Sequence, residues 1–130
     1  MNQIKKVNSG FLKYQLRTFI YAFRGIRAFF HYETKSVIHL IAAIAAVTLG
    51  ILLSINPVEW LLIALAIGLV FITELFNTAI EKLTDLVEPE KNPLAGDIKD
   101  ISAGAVLVGA ITALLIGLII YVPEILSLFN

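Results

Sequence analysis

Three long apolar stretches dominate the pattern of hydrophobic and polar positions, at residues 38–55, 60–73 and 101–122. The first and third contain no charged residue over 18 and 22 positions. Those lengths are close to the roughly 20 residues that cross a bilayer core about 30 Å thick. The pattern therefore predicts membrane helices at residues 38–55 and 101–122.

The middle stretch is shorter, but the residues around it extend the helix in both directions. Pro57 suits a helix start, and a helix beginning there rises roughly 26 Å by the time it reaches Glu74. The apolar run then continues as LFNTAIEKLTDLV up to Pro89, where a helix is expected to end. We predict one helix over residues 58–88, which crosses the membrane and extends into the cytoplasm.

The segment before the first span predicts a helix lying on the membrane surface, at residues 10–32. Its apolar residues recur at steps of three and four and so share one narrow face, with cationic residues beside it. The apolar residues are Leu12, Leu16, Phe19, Phe23, Ile26 and Phe30, and the cationic ones are Lys13, Arg17, Arg24 and Arg27. Residues 1–130 are thus expected to form a single all-α membrane domain.

The basic residues give the expected orientation. All ten Lys and Arg residues precede the first predicted span or lie between the second and third. By the positive-inside rule, we expect the N-terminus and residues 74–100 to be cytoplasmic and the C-terminus to lie outside. We expect no nucleic-acid partner.

Composition agrees with a membrane protein and narrows the chemistry. Hydrophobic residues make up 58% of the chain, above the roughly 45–50% typical of soluble domains, and the mean hydropathy is +0.88. The chain has no cysteine, which excludes disulfides and thiolate metal sites.

Small residues recur at every fourth position in the first and third spans, a pattern that lets helices approach closely in lipid. They are Ala42, Ala46 and Gly50 in the first span, and Ala105, Gly109, Ala113 and Gly117 in the third. Because three short spans have little interior of their own, we expect these stripes to pack and the chain to form a homo-oligomer.

A row of polar residues, mostly acids, lies on one face of the middle helix as it leaves the membrane: Glu74, Asn77, Glu81, Asp85 and Glu88. For Asp85 and Glu88 a solvated face is an equally good interpretation. Glu74 lies among apolar neighbours, where an ionisable side chain is costly and is a functional candidate by default. It suits a general base acting on a group that a lipid presents.

Two further sets of residues are candidates for binding phosphates. Glu81 and Glu33, on different helices and with few other protein ligands, suit Mg²⁺, which retains waters and is completed by substrate phosphates. The loop before the third span adds Glu90, Lys91, Asn92, Lys99 and Asp100. Lys99 would meet phosphates with Asp100 orienting it; alternatively, Asp100 caps the third helix. His31 and His39 have no spacing typical of a metal site and receive no role.

The sequences ELFNTAIEKLTDLV, IKDISAGAV and RGIRAFFHYE together resemble the prokaryotic diacylglycerol kinase and undecaprenol kinase family of small membrane lipid kinases, over roughly residues 21–108. Members of that family are homotrimers with three membrane helices and a surface helix per chain. They transfer the γ-phosphoryl group of MgATP to a lipid hydroxyl, at a site shared between neighbouring protomers. The resemblance therefore implies Mg²⁺ as cofactor, ATP as co-substrate and a trimeric bundle.

The resemblance also assigns roles to individual residues. It implies Glu74 as the catalytic base in contact with the lipid substrate, with Asn77 and Asp85 as supporting residues and Glu33 with Glu81 as magnesium ligands. The implied nucleotide contacts are Tyr21, Glu33, Glu81, Glu90, Lys91, Asn92, Lys99 and Asp100, and the implied lipid contacts are Glu74, Arg24 and Arg27. Lys91 and Asn92 stand where the best-known diacylglycerol kinases have an aromatic residue and a histidine.

Three functions remain open at this point. The NTAIE and KDISAGAV motifs favour an undecaprenol kinase, and diacylglycerol is the alternative substrate. A small multidrug-type, proton-coupled transporter would also explain few short helices with one intramembrane acid, but it would not explain the acidic row and the Lys-Asp pair in water.

Overall fold

The computed structural model describes residues 2–32 and 35–129, with side chains described from Phe11 onward except those of Leu12 and Lys35. Its regular elements are the helices α1 (Asn2–Tyr32), α2 (Lys35–Leu52), α3 (Pro57–Val87) and α4 (Pro93–Ser127). The all-helical fold class is therefore confirmed. Within the described residues, α3 and α4 are each long and apolar enough to cross a membrane, and α2 is a shorter apolar helix of 18 residues.

Helix α1 forms a unit separate from the other three helices. The described side chains of its predicted apolar face, including Phe19, Phe23 and Ile26, are exposed. Exposed apolar side chains in a row suit a helix that buries this face in the lipid headgroup layer. Phe29, which is not part of the predicted face, is buried. Its ring lies edge-on to that of Phe30, with the centroids 5.2 Å apart.

A complete cap fixes where α3 begins. Asn56 accepts hydrogen bonds from the backbone N–H groups of Val58 and Glu59 at 2.9 and 3.1 Å, and Glu59 accepts one from the backbone of Asn56 at 2.8 Å. This reciprocal arrangement satisfies N–H groups that a helix start leaves without partners. Pro57 has no backbone N–H group and needs no such partner, so it suits the predicted helix start.

Helix α4 begins eight residues earlier than the predicted span. Asn92 caps it by accepting a hydrogen bond from Leu94 N at 3.0 Å, and Pro93 occupies the first turn. Asp100 therefore lies inside the helix and is not its cap. The early start has no apolar pattern because these first turns lie outside the predicted hydrocarbon region.

Helices α3 and α4 form the main packed pair, and α2 makes fewer contacts with both. Gly109 marks their close approach, because a Cβ there would lie 3.1 Å from Thr73 Oγ1. At the other end, the buried residues Ile55, Ile63, Ile120 and Tyr121 form a small core. The Tyr121 hydroxyl donates to the Ala46 carbonyl at 2.7 Å and so joins α4 to α2.

An apolar groove of about 450 Å³ runs between α2, α3 and α4. Much of its lining consists of alanine and glycine: Ala42, Ala43, Ala46, Ala66, Ala110, Ala113 and Gly117. The small-residue stripes therefore have two roles. Gly109 allows two helices to approach, whereas Ala46, Ala113 and Gly117 leave room between them.

Candidate active site

Glu74 lies on α3 with only 3% of its surface exposed. A buried carboxylate needs a polar partner, because transfer of an unpaired charge out of water is costly. The partner is His39 on α2, whose Nε2 atom lies 2.6 Å from Glu74 Oε1. No role was predicted for His39 from the sequence, although the predicted spans place it and Glu74 at similar depth near the cytoplasmic edge of the membrane.

Asn77, one turn further along α3, connects two other side chains. The Ser102 hydroxyl of α4 donates to Asn77 Oδ1 at 2.6 Å, and Asn77 Nδ2 donates to Glu81 Oε1 at 3.2 Å. Asn77 and Ser102 are both buried. The network holds one carboxylate oxygen of Glu81 in place. Sequence reasoning missed Ser102, which lies one helical turn after Lys99 and so shares its face of α4.

An ion pair between Lys99 and Asp85 lies further along the same face, near the C-terminal end of α3. The partner of Lys99 is therefore Asp85 and not Asp100, because a step of one residue places neighbouring side chains on different faces of a helix. Beside this pair is a cleft of about 550 Å³ between the ends of α3 and α4. It brings together several predicted nucleotide contacts: Glu90, Lys91, Asn92 and Lys99.

Asn92 also helps to shape this cleft. Its Nδ2 atom donates to Glu88 Oε2 at 3.2 Å while its Oδ1 atom caps α4. Both ends of the side chain are thus occupied by the protein. The nucleotide role of Asn92 stays a prediction alongside this structural one.

The remaining predicted residues are distributed as follows. Tyr21, Arg24 and Arg27 are exposed on α1, and the Arg24 guanidinium lies 5.7 Å from the centroid of the Tyr21 ring. Glu33 lies outside the described residues. Across the part of the chain that is described, no three His, Asp or Glu side chains are close enough to hold a metal ion.

The described polar residues follow one another along a single face of α3. The His39–Glu74 pair comes first, where His39 also lines the apolar groove. Asn77, Ser102 and Glu81 follow, and then the Lys99–Asp85 pair beside the cleft. Such a face offers a base next to hydrocarbon at one end and a cation beside a polar cleft at the other.

Comparison with known proteins gives the family to which the chain belongs. Residues 20–121 match the prokaryotic diacylglycerol kinase family. The chain is 41% identical over 108 residues to the undecaprenol kinase of Bacillus subtilis, an alignment that covers 83% of this chain and 88% of that protein.

Two diacylglycerol kinases are also similar. The one from Synechocystis is 38% identical over 87% of this chain and 65% of its own length. The one from Escherichia coli is 30% identical over 73% of this chain and 78% of its own length. The extent of the family match and these identities show that the chain belongs to the prokaryotic diacylglycerol kinase family.

Proposed function

We propose that the protein is an ATP-dependent lipid kinase that transfers the γ-phosphoryl group of MgATP to the hydroxyl of a membrane lipid. The observation that carries the proposal is the order of groups along α3. A lipid in the apolar groove and a nucleotide in the polar cleft would approach Glu74 and Glu81 from opposite ends. The transporter alternative receives no support from the comparisons and has no use for the polar cleft.

Glu74 acts as the general base in this proposal. As the lipid oxygen attacks the γ-phosphorus, its proton passes to the Glu74 carboxylate, and the bond from the γ-phosphorus to the bridging oxygen breaks to release ADP. Phosphoryl transfer depends mainly on positioning and on neutralising charge. Lys99 supplies a positive charge at the cleft, and Asp85 holds its ammonium group.

Mg²⁺ would be held by Glu81 together with Glu33, and when bound it would neutralise phosphate charge. The described residues fit this ion, because Glu81 offers a hard carboxylate ligand and Asn77 engages only one of its oxygens. Mg²⁺ commonly binds through one or two carboxylates and completes its shell with water and phosphate oxygens. A site with few protein ligands therefore suits it.

The proposed assembly is a homotrimer in the bacterial inner membrane, in which α2, α3 and α4 each span the bilayer and α1 lies on its cytoplasmic surface. The large exposed apolar area of these helices supports burial in lipid and against other copies. The positions of all ten basic residues support a cytoplasmic N-terminus.

The test of this function is the variant Glu74→Gln, which removes the base but keeps size and hydrogen bonding. We expect turnover to fall at least ~100-fold while MgATP binding changes little, because a base acts chiefly in the transition state. Glu59→Gln is the matched control, since it alters a carboxylate at the far end of the same helix. Near-normal turnover in well-folded Glu74→Gln protein would reject the proposed role.

For the acceptor we propose undecaprenol. The groove is lined mainly by hydrocarbon, which suits a polyprenyl chain, whereas diacylglycerol has two ester carbonyls that need hydrogen-bond donors. The Tyr121 hydroxyl in the groove lining already donates to the Ala46 carbonyl at 2.7 Å. The similarity to an undecaprenol kinase supports the same choice.

The ratio of kcat/KM for undecaprenol and for a diacylglycerol, measured in the same mixed micelles, decides the acceptor. We expect undecaprenol to have the higher value. A clear preference for diacylglycerol would overturn the proposed substrate. It would not affect the proposed lipid-kinase activity or the role of Glu74 as base.

A further inference from the structure

The contact between His39 and Glu74 joins two helices at the atom where the proposed chemistry takes place. His39 Nε2 and Glu74 Oε1 are 2.6 Å apart, and their side chains are 22% and 4% exposed. Among the described residues, the polar side chain that contacts Glu74 is His39. In the sequence, Glu74 is flanked by Phe71, Ile72, Leu75 and Phe76.

One physical effect follows from this contact. The bond fixes the direction of one carboxylate oxygen, and orientation of a catalytic group contributes strongly to rate. A neutral imidazole can donate from Nε2 when that nitrogen carries the proton.

We propose that His39 is a positioning residue for Glu74: its Nε2–H group holds the carboxylate oriented toward the acceptor hydroxyl. This inference rests on the proposed role of Glu74 as base. In the transfer step, the lipid O–H bond breaks and its oxygen forms the new bond to the γ-phosphorus. The bond from the γ-phosphorus to the bridging oxygen breaks, and its electron pair leaves on ADP. The proton remains on Glu74, and His39 keeps its own proton throughout.

The location of His39 connects this role to the lipid. The imidazole lines the apolar groove as well as contacting Glu74, so the same side chain lies beside both the base and the space offered to the acceptor.

The experiment compares His39→Ala, His39→Gln and the control Thr48→Ala in purified protein with MgATP and undecaprenol. Thr48 lies on the same helix as His39, outside the groove lining, and its hydroxyl donates to Ile44 O of its own helix. We expect His39→Ala to lower kcat roughly 10- to 100-fold while KM for MgATP changes less than about twofold. His39→Gln keeps an N–H donor and should recover most of the lost rate, and Thr48→Ala should change kcat less than about twofold. An unchanged kcat in His39→Ala, no recovery with Gln, or an equal loss in Thr48→Ala would overturn the inference.

If His39→Ala does not fold, His39→Asn replaces it, since its shorter amide does not reach Glu74; equal rates for the Asn and Gln variants would overturn the inference. Adding His39→Ala or His39→Asn to Glu74→Gln separates this inference from the proposed function. We expect no further loss in the double variant, because the group being positioned is gone. An active Glu74→Gln enzyme would reject the base itself. An inactive Glu74→Gln enzyme with a fully active His39 variant would reject only the positioning role.

Discussion

Ser102→Ala is the substitution that most directly tests how the structure positions Glu81. It removes the hydroxyl that donates to Asn77 Oδ1 at 2.6 Å and leaves the rest of α4 unchanged. Asn77 is then anchored only through its 3.2 Å bond to Glu81. Because Asn77 is buried, its carbonyl oxygen loses a partner that water does not readily replace.

The expected effect can be estimated from that lost partner. An unsatisfied buried acceptor costs about 1–3 kcal/mol, and each 1.4 kcal/mol corresponds to a factor of about ten in affinity. Asn77 can relax by rotating toward Glu81. We therefore expect the free-energy cost to Mg²⁺ binding to lie in the lower part of this range. The concentration of Mg²⁺ needed for half-maximal turnover should rise roughly five- to tenfold, with kcat at saturating Mg²⁺ changing less than about twofold.

The assay is a Mg²⁺ titration of ATP-dependent lipid phosphorylation in mixed micelles. Thr48→Ala is the matched control, because it also removes a side-chain hydroxyl from an apolar helix. The Thr48 hydroxyl donates to the Ile44 carbonyl of its own helix and not to a neighbouring one. If Ser102→Ala has the same Mg²⁺ dependence as the control while Glu81→Gln does not, the network does not position Glu81.

Three other predictions concern the metal, the helix packing and the assembly. Glu81→Gln and Glu33→Gln should each weaken MgATP binding with partial rescue by excess Mg²⁺, and an unchanged Mg²⁺ dependence would remove that residue from the proposed ligands. Gly109→Leu should destabilise the protein by about 1–3 kcal/mol in detergent unfolding experiments, because even a Cβ would lie 3.1 Å from Thr73 Oγ1. Gly104→Leu should be milder, because among the described residues no atom beyond its own stretch of helix lies within 4 Å of its Cβ position. Crosslinking in mild detergent should yield trimers, and an active enzyme that is strictly monomeric would refute a site shared between protomers.

Much of the helical architecture follows from features that are local in sequence. The apolar stretches locate the three helices after α1, and Asn56-Pro57 marks a capped start. Steps of three and four residues place Glu74, Asn77 and Glu81 on one face without any tertiary information. The start of α4 was predicted too late because its first turns lie outside the predicted hydrocarbon region and show no apolar pattern.

Contacts between helices were harder to predict because they depend on rotation and depth, which the sequence does not specify. His39 and Glu74 are 35 positions apart, and their contact needs α2 and α3 to face each other with the correct rotation. Ser102 was missed for the same reason. Small residues are also ambiguous, since an alanine permits both the close approach of two helices and an open groove between them.

The most direct test of the lipid-kinase proposal follows the γ-phosphate itself. Purified protein is incubated with γ-labelled ATP, Mg²⁺ and undecaprenol in mixed micelles, and the label is measured in the extracted lipid. The proposal predicts label in the lipid fraction as a lipid phosphate, dependent on Mg²⁺ and absent with Glu74→Gln. Label that remains in water as ATP or inorganic phosphate, with either undecaprenol or a diacylglycerol present, would contradict it.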